Sequence, residues 1–166
     1  MKKEQIDDFT KLNVDFEDLD LDIRTSDDDH YYMEYKLEKN GKKDPLTWED
    51  KDGELTLKES EGGTGGYFIT YDLGVFRTHI EQTQKEDAVN TVILYVPEKA
   101  QLLEAEIQLS DGDFTADQLL CEKMTAQLSD GDLILDKGVF EKFEAKLGDG
   151  DLDVKELQCT DNMQLK

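Results

Sequence analysis

Apolar and polar residues alternate along most of this chain, and from residue 105 the alternation repeats itself. The segments AEIQLSDGDFTADQLLCEK (105–123), MTAQLSDGDLILDKGVFEK (124–142) and FEAKLGDGDLDVKELQCTD (143–161) follow one another without insertion. In the first, Ala105, Ile107 and Leu109 lead to Ser110-Asp111-Gly112-Asp113, and Phe114 and Ala116 resume the alternation beyond it. Met124, Ala126, Leu128, Leu133 and Leu135 hold the same places in the second copy, and Phe143, Ala145, Leu147, Leu152 and Val154 in the third. A period of two predicts strands with one buried and one wet face. Gln108, Gln127 and Lys146 take the outward slots. Each copy therefore reads as two short strands joined by a tight acidic corner.

Gly112, Gly131 and Gly150 are 19 residues apart each time. A fixed period of this length is the mark of a stacked coil, in which one rung cannot bury its apolar side alone. Stacking at the spacing of parallel strands, about 4.8 Å, predicts ladders of Leu109 on Leu128 on Leu147 and of Phe114 on Leu133 on Leu152. The expected fold is all-β: a right-handed, single-chain parallel β-solenoid with 19-residue rungs, the hand following the usual chirality of parallel crossovers. An Asp-Gly pair between alternating runs also predicts a backbone turn at positive φ, which glycine accepts freely.

Residues 1–100 carry the same kind of strand without the strict period. Leu12, Val14 and Phe16 alternate, as do Leu19, Leu21 and Ile23, then Tyr31, Met33, Tyr35 and Leu37. Leu55 and Leu57, then Tyr67, Ile69 and Tyr71, and Val92, Leu94 and Val96 extend the series. Turn signals separate them at Asp27–Asp29, Asn40-Gly41, Asp52-Gly53 and 62–66. No stretch has a helical stripe. At 166 residues the expectation is one domain, 1–166, with an irregular β part over 1–100 that starts and caps the stack and three regular rungs over 105–161. Met163 and Leu165 fall one residue out of phase with the third copy, which predicts that they turn to the other face.

The formal net charge of −22, from 41 acidic and 19 basic residues, disfavours nucleic acid and anionic lipid as partners. It favours a protein or envelope component that is cationic or bridged by metal. No apolar run is long enough for a membrane span, and Met1-Lys2-Lys3 leads into Glu4 and Asp7 rather than into the apolar stretch of a secretion signal. Cys121 and Cys159 sit at equivalent rung positions with Phe140 between them. They are expected about 9.6 Å apart, beyond the roughly 7 Å that a disulfide spans, so both should be free and buried.

The inventory for catalysis is thin. His30, His79 and the serines Ser26, Ser60, Ser110 and Ser129 form no nucleophile motif, and both histidines read as solvent-facing. No Cys or His pair has the spacing of a zinc site. The glycine-rich stretch 62–66 lacks the Lys-Ser/Thr of a phosphate loop. Asp111, Asp130 and Asp149 should stack, as should Asp113, Asp132 and Asp151, and oxygen-rich stacked turns can hold calcium. Turn chemistry accounts for the same aspartates without a metal. Paired carboxylates on a coil also admit a carbohydrate-active enzyme, although no aromatic platform accompanies them. No catalytic, cofactor-binding or metal-binding residue is assigned from the sequence.

The Leu-Ser-Asp-Gly-Asp rungs at 109–113 and 128–132 and Leu-Gly-Asp-Gly-Asp at 147–151 resemble the bacterial putative-adhesin domains of unknown function. Thr91–Pro97 is similar to that family's strand-then-proline lead into its first rung, and Gly53–Leu57 to an earlier strand. The resemblance implies a right-handed β-solenoid exposed on or near the envelope of Gram-positive bacteria, with no catalytic residues to carry over. The expected function is a non-enzymatic, envelope-associated adhesin or scaffold that binds through a repetitive acidic face. A solenoid carbohydrate-active enzyme and a calcium-binding repeat module are the alternatives.

Overall fold

Among the described residues the alternating runs become twelve strands, and most of them stack in parallel. The computed structural model describes residues 2–36, 46–59, 76–77 and 90–166. The strands are β1 (Lys2–Ile6), β2 (Lys11–Phe16), β3 (Asp20–Ser26), β4 (Tyr31–Lys36), β5 (Leu46–Lys51) and β6 (Glu54–Glu59), then β7 (Phe76–Arg77), β8 (Thr91–Pro97), β9 (Leu102–Leu109), β10 (Phe114–Leu128), β11 (Leu133–Leu147) and β12 (Leu152–Leu165). No helix occurs among the described residues.

Two columns of parallel strands share the long strands. One column runs β6, β2, β9, β10, β11, β12, and the other runs β8, β3, β10, β11, β12. Strand β10 serves both: Phe114–Ala116 lie on β3, and Cys121–Leu128 lie on β9. The expected ladders are present, with Leu109 on Leu128 on Leu147 and Phe114 on Leu133 on Leu152. Between β10 and β11, pairing joins each residue to its equivalent in the next repeat, as in Ala126 with Ala145. This is an all-β, solenoid-like coil.

The first part of the chain does more than cap. Strands β2 and β3 are inserted between the β6/β8 level and the β9/β10 level, so spatial order departs from chain order. Phe16 thereby continues the Leu109 ladder, and Leu21 continues the Phe114 ladder. At the β6/β8 end antiparallel strands close the stack: β5 on β6, β7 on β5, β4 on β8 and β1 on β4. At the other end β12 pairs with β11 alone among the described strands.

The interior is a continuous apolar file. Val14, Leu21, Ile23, Leu55, Leu57, Val92, Leu94, Phe114, Leu133 and Leu135 are wholly buried. Each such side chain contributes about 1.5–3 kcal/mol relative to exposure, and stacking covers the inward slots of β10 and β11 twice, from below and from above. The slip at Met163 and Leu165 is absorbed locally. An irregularity after Phe140 brings Met163 opposite Phe143 and Leu165 opposite Ala145, so both stay in phase with the core ladder instead of turning outward. The Tyr67–Tyr71 strand, the 62–66 loop and His79 lie outside the described residues.

Candidate functional site: the acidic corner ridge

Where each rung turns from one column to the other, the backbone of one corner sits directly on the next. Ser129 N–H donates to Leu109 O and Asp130 N–H to Ser110 O; one level up, Gly148 and Asp149 bind Leu128 O and Ser129 O in the same way. The central glycine is required by this contact and not by its φ. A Cβ on Gly131 would lie 2.6 Å from the Gly112 carbonyl carbon and nearer still to its oxygen, and Gly150 stands in the same relation to Gly131. None of the three corner glycines has positive φ; the described residues with positive φ are Asp52 and Gly53, in the β5–β6 hairpin. The expectation of a left-handed corner is therefore corrected: close backbone approach selects glycine there.

The second aspartate of each corner forms a ladder. Asp132 N–H donates to Asp113 Oδ1 at 2.8 Å, and Asp151 N–H donates to Asp132 Oδ1 at 2.8 Å. Its foot is Asp20, whose Oδ1 accepts from Asp113 N–H at 2.9 Å. Sequence reading missed Asp20 because Leu19 replaces glycine there. Yet Phe16-x-Asp18-x-Asp20-Leu21 matches Leu109-x-Asp111-x-Asp113-Phe114 position for position. Leu19 is tolerated because its corner rests on a side chain. Glu59 Oε2 accepts from the N–H groups of Glu17, Asp18 and Leu19 at 2.7, 2.8 and 3.2 Å. That carboxylate stands where the carbonyls of a lower corner would be.

The ridge so built carries two files of carboxylates. Asp111, Asp130 and Asp149 form the outer file; Asp113, Asp132 and Asp151 form the inner one, and Glu17, Asp18 and Asp20 extend the ridge downward. None of them is ion-paired to a described cation, whereas the flanks are self-compensated. Arg24 binds Asp22 at 2.6 Å, Lys155 binds Asp136 at 2.6 Å and Lys123 binds Glu104 at 2.5 Å. Among the described residues no three His, Cys, Asp or Glu side chains are grouped to hold a metal ion. Two inner-file oxygens, Asp113 Oδ1 and Asp132 Oδ1, are already committed to N–H donors, which weakens them as calcium ligands.

The other candidate chemistry is dispersed. His30 is exposed, with Nδ1 3.6 Å from Asp28 Oδ1. The Tyr32 hydroxyl, then the His30 N–H, hold the Asp28 carboxyl below its usual range. A shallow hollow of about 300 Å³ is lined by Lys11, Leu103, Glu104, Glu122, Lys123, Glu141 and Lys142. There the Lys123 hydrogen bond lowers the Glu104 pKa, the opposite of what a general acid needs. Both thiols are free and lie on either side of Phe140 in the ladder. Cys121 is buried and its pKa is pushed up to about 12 by desolvation. Cys159 is only half-buried, contrary to expectation, because no described rung covers it.

The profile of the Toastrack domains, DUF4097, matches residues 9–166. The chain belongs to the Toastrack family. It is a family of unknown function, and the match begins just before β2 and takes in the whole corner ridge. Two solved structures are similar to this Toastrack chain. One is a putative cell adhesion protein from Clostridium sporogenes, at 13% identity and a TM-score of 0.38, covering 99% of this chain and 97% of that one. The other is a putative lipid binding protein from Parabacteroides distasonis, at 12% identity and a TM-score of 0.34, covering 99% and 96%. Neither likeness is close enough to carry that protein's binding over to this chain. No curated protein matches the sequence. No helix among the described residues of this Toastrack chain is long and apolar enough to cross a membrane.

Proposed function

We propose that residues 1–166 act as one right-handed coil of 19-residue rungs, a non-enzymatic binding module at the cell envelope or outer surface whose acidic corner ridge meets a cationic partner. The observation that carries this reading is the ridge itself: two files of aspartates at regular spacing, unpaired with described cations, on a chain of net charge −22. Regular spacing suits many weak contacts made at once, which raise avidity without any single deep pocket. Membership of a Toastrack domain of unknown function is compatible with binding and names no reaction. No catalytic, cofactor or metal role is assigned to any residue.

The test is binding of a Lys-rich peptide to the chain, followed by calorimetry at about 20 and 150 mM salt, across which screening of exposed charges sharpens. Affinity is expected to fall as salt rises. It should fall further in the triple variant Asp111→Asn, Asp130→Asn, Asp149→Asn, which spares the inner ladder. Binding indifferent to both changes would overturn the reading. So would hydrolysis of a cell-wall polysaccharide that one Asp→Asn substitution abolishes.

A further inference from the structure

Away from the corner ridge, the outer face of β1, β4 and β8 gathers two aromatic rings around one cation. Alternation dictates the grouping: Tyr31, Met33, Val92 and Leu94 turn into the core, so Tyr32, Glu34 and Tyr95 turn out. Tyr32 and Tyr95 are cross-strand partners in β4 and β8, and both are half-buried. Lys3, in the neighbouring β1, is paired with Glu34. Its Nζ lies 4.5 Å from the centroid of the Tyr32 ring and 3.7 Å from that of Tyr95. Both distances fall within the roughly 6 Å over which a ring face attracts a cation.

The two rings form a pinned platform. The Tyr95 hydroxyl donates to Glu34 Oε2 at 2.9 Å, and the Tyr32 hydroxyl donates to Asp28 Oδ2 at 2.7 Å. Both hydroxyl protons are thus spent on carboxylates, which fix the rings and add negative potential at the rim. Arg24 stands opposite Tyr95 in β3, but its guanidinium is held by Asp22 at 2.6 Å. His30, beside Tyr32, leans on Asp28. Lys3 differs from both. It is exposed, has no described carboxylate within ion-pair distance, and rests its charge on the ring faces. That contact is the one part of ammonium recognition that survives when every N–H is replaced by a methyl group.

We propose that Tyr32 and Tyr95 form a binding site for a quaternary ammonium group, with Lys3 as the internal occupant that such a group displaces. A primary ammonium is strongly hydrated and loses water when it meets a ring face. A quaternary one, with no N–H to hydrate, loses less, and the platform asks for no donor in return. The Lys3 side chain can swing into solvent with β1 still in place, because backbone pairing over Lys2–Ile6 holds that strand to β4. Its ring contact is exposed, so displacing it costs the incoming group only about two- to five-fold in affinity. The site is separate from the ridge, since it lies at the Arg24–Tyr95 pair, beyond the Asp20–Thr91 pair at the ridge foot. The ridge responds to charge alone; the platform responds to charge presented without N–H groups.

The probe is tetramethylammonium, titrated into the full chain at constant ionic strength with sodium as the balancing cation and followed by the tyrosine ring signals in nuclear magnetic resonance. Saturable shifts are expected at Tyr32 and Tyr95. Lys3→Ala empties the platform and should tighten binding about two- to five-fold. Methylammonium should bind at least about ten-fold more weakly than tetramethylammonium. Tyr32→Leu combined with Tyr95→Leu should abolish saturation, with circular dichroism reporting the fold. Glu34→Gln, which removes one rim charge and keeps the shape, should weaken binding a few-fold and serves if the double variant does not fold. The triple ridge variant Asp111→Asn, Asp130→Asn, Asp149→Asn should bind the ion as the parent does. Choline and N-acetyl-trimethyl-lysine amide then distinguish a free small molecule from a protein side chain, the tighter of the two naming the source. Shifts that never saturate, equal binding of methylammonium, a Lys3→Ala protein that binds no tighter than the parent, loss of binding in the triple ridge variant, or failure of both choline and the lysine derivative to compete would each overturn the proposal.

Discussion

The dipeptide Asp-Gly appears in two settings in this protein, and it does different work in each. At Asp52-Gly53 it is the two-residue loop of the β5–β6 hairpin, with φ of 53° and 77° and Lys51 paired to Glu54. That is the double positive φ such a loop demands. A Cβ at Gly53 would make only an ordinary contact, with Thr10 Oγ1 at 3.8 Å. At Asp111-Gly112, Asp130-Gly131 and Asp149-Gly150 the backbone torsions are ordinary, and the constraint is the carbonyl of the corner beneath. One glycine is chosen for what its backbone does, the other three for what its missing side chain permits.

That distinction is sharpest where a residue relieves one constraint and not the other. Gly131→Ala should cost about 3 kcal/mol, since the obstructing atoms are backbone and cannot rotate aside. Gly131→Asn should be no better, because tolerance of positive φ is irrelevant there. Chemical denaturation against the parent measures both, and a Gly131→Asn protein as stable as the parent would break the steric account.

Glu59→Ala is the next largest. It withdraws the acceptor from three N–H groups under Leu19 and should cost about 2 kcal/mol, typical of hydrogen bonds to a charged group. Glu59→Gln, which keeps an acceptor oxygen, should recover part of that. Equal loss in both variants would mean that the carboxylate does not stand in for a lower corner.

Asp132→Ala removes the acceptor of a single exposed N–H bond from Asp151 and should cost about 1 kcal/mol, with Asp132→Asn close to neutral. Gly53→Ala should cost on the order of 1 kcal/mol from left-handed backbone strain alone. Gly53→Asn should cost only a few tenths, since asparagine tolerates that region. Asparagine thus rescues the hairpin and fails at the corner, and thermal melts of the two Gly→Asn variants read the contrast directly.

The regular rungs were legible because their sequence repeats without insertion: the Leu109 and Phe114 ladders follow from spacing alone. The same logic failed for β2 and β3. Their corner carries the two aspartates but not the glycine, and the stretch between Asp20 and Asp113 is no multiple of the period, so nothing local says that β2 lies on β9. Glu59 was beyond reach for a similar reason. It acts on a corner some forty residues away, and a lone half-buried glutamate has no signature. Met163 and Leu165 were misplaced because strict counting cannot foresee an irregularity that restores phase. Cys159 was expected to match Cys121, but equivalence within a repeat does not imply equal cover when one copy lies at the open edge.

The corner hydrogen bonds run both ways in a fixed pattern. The N–H groups of Ser129, Asp130, Asp132, Gly148, Asp149 and Asp151 point toward the β6/β8 end, whereas those of Leu21, Phe114 and Leu133 donate toward the β12 end, to the carbonyls of Asp113, Asp132 and Asp151. Each repeat thus meets the one below with the complement of what it offers above. A duplicated 19-residue copy spliced between two others would find its seat prepared and leave the same seat for its successor. The unit is a self-propagating brick: tandem duplication in whole repeats can lengthen the ridge while leaving every existing joint unchanged.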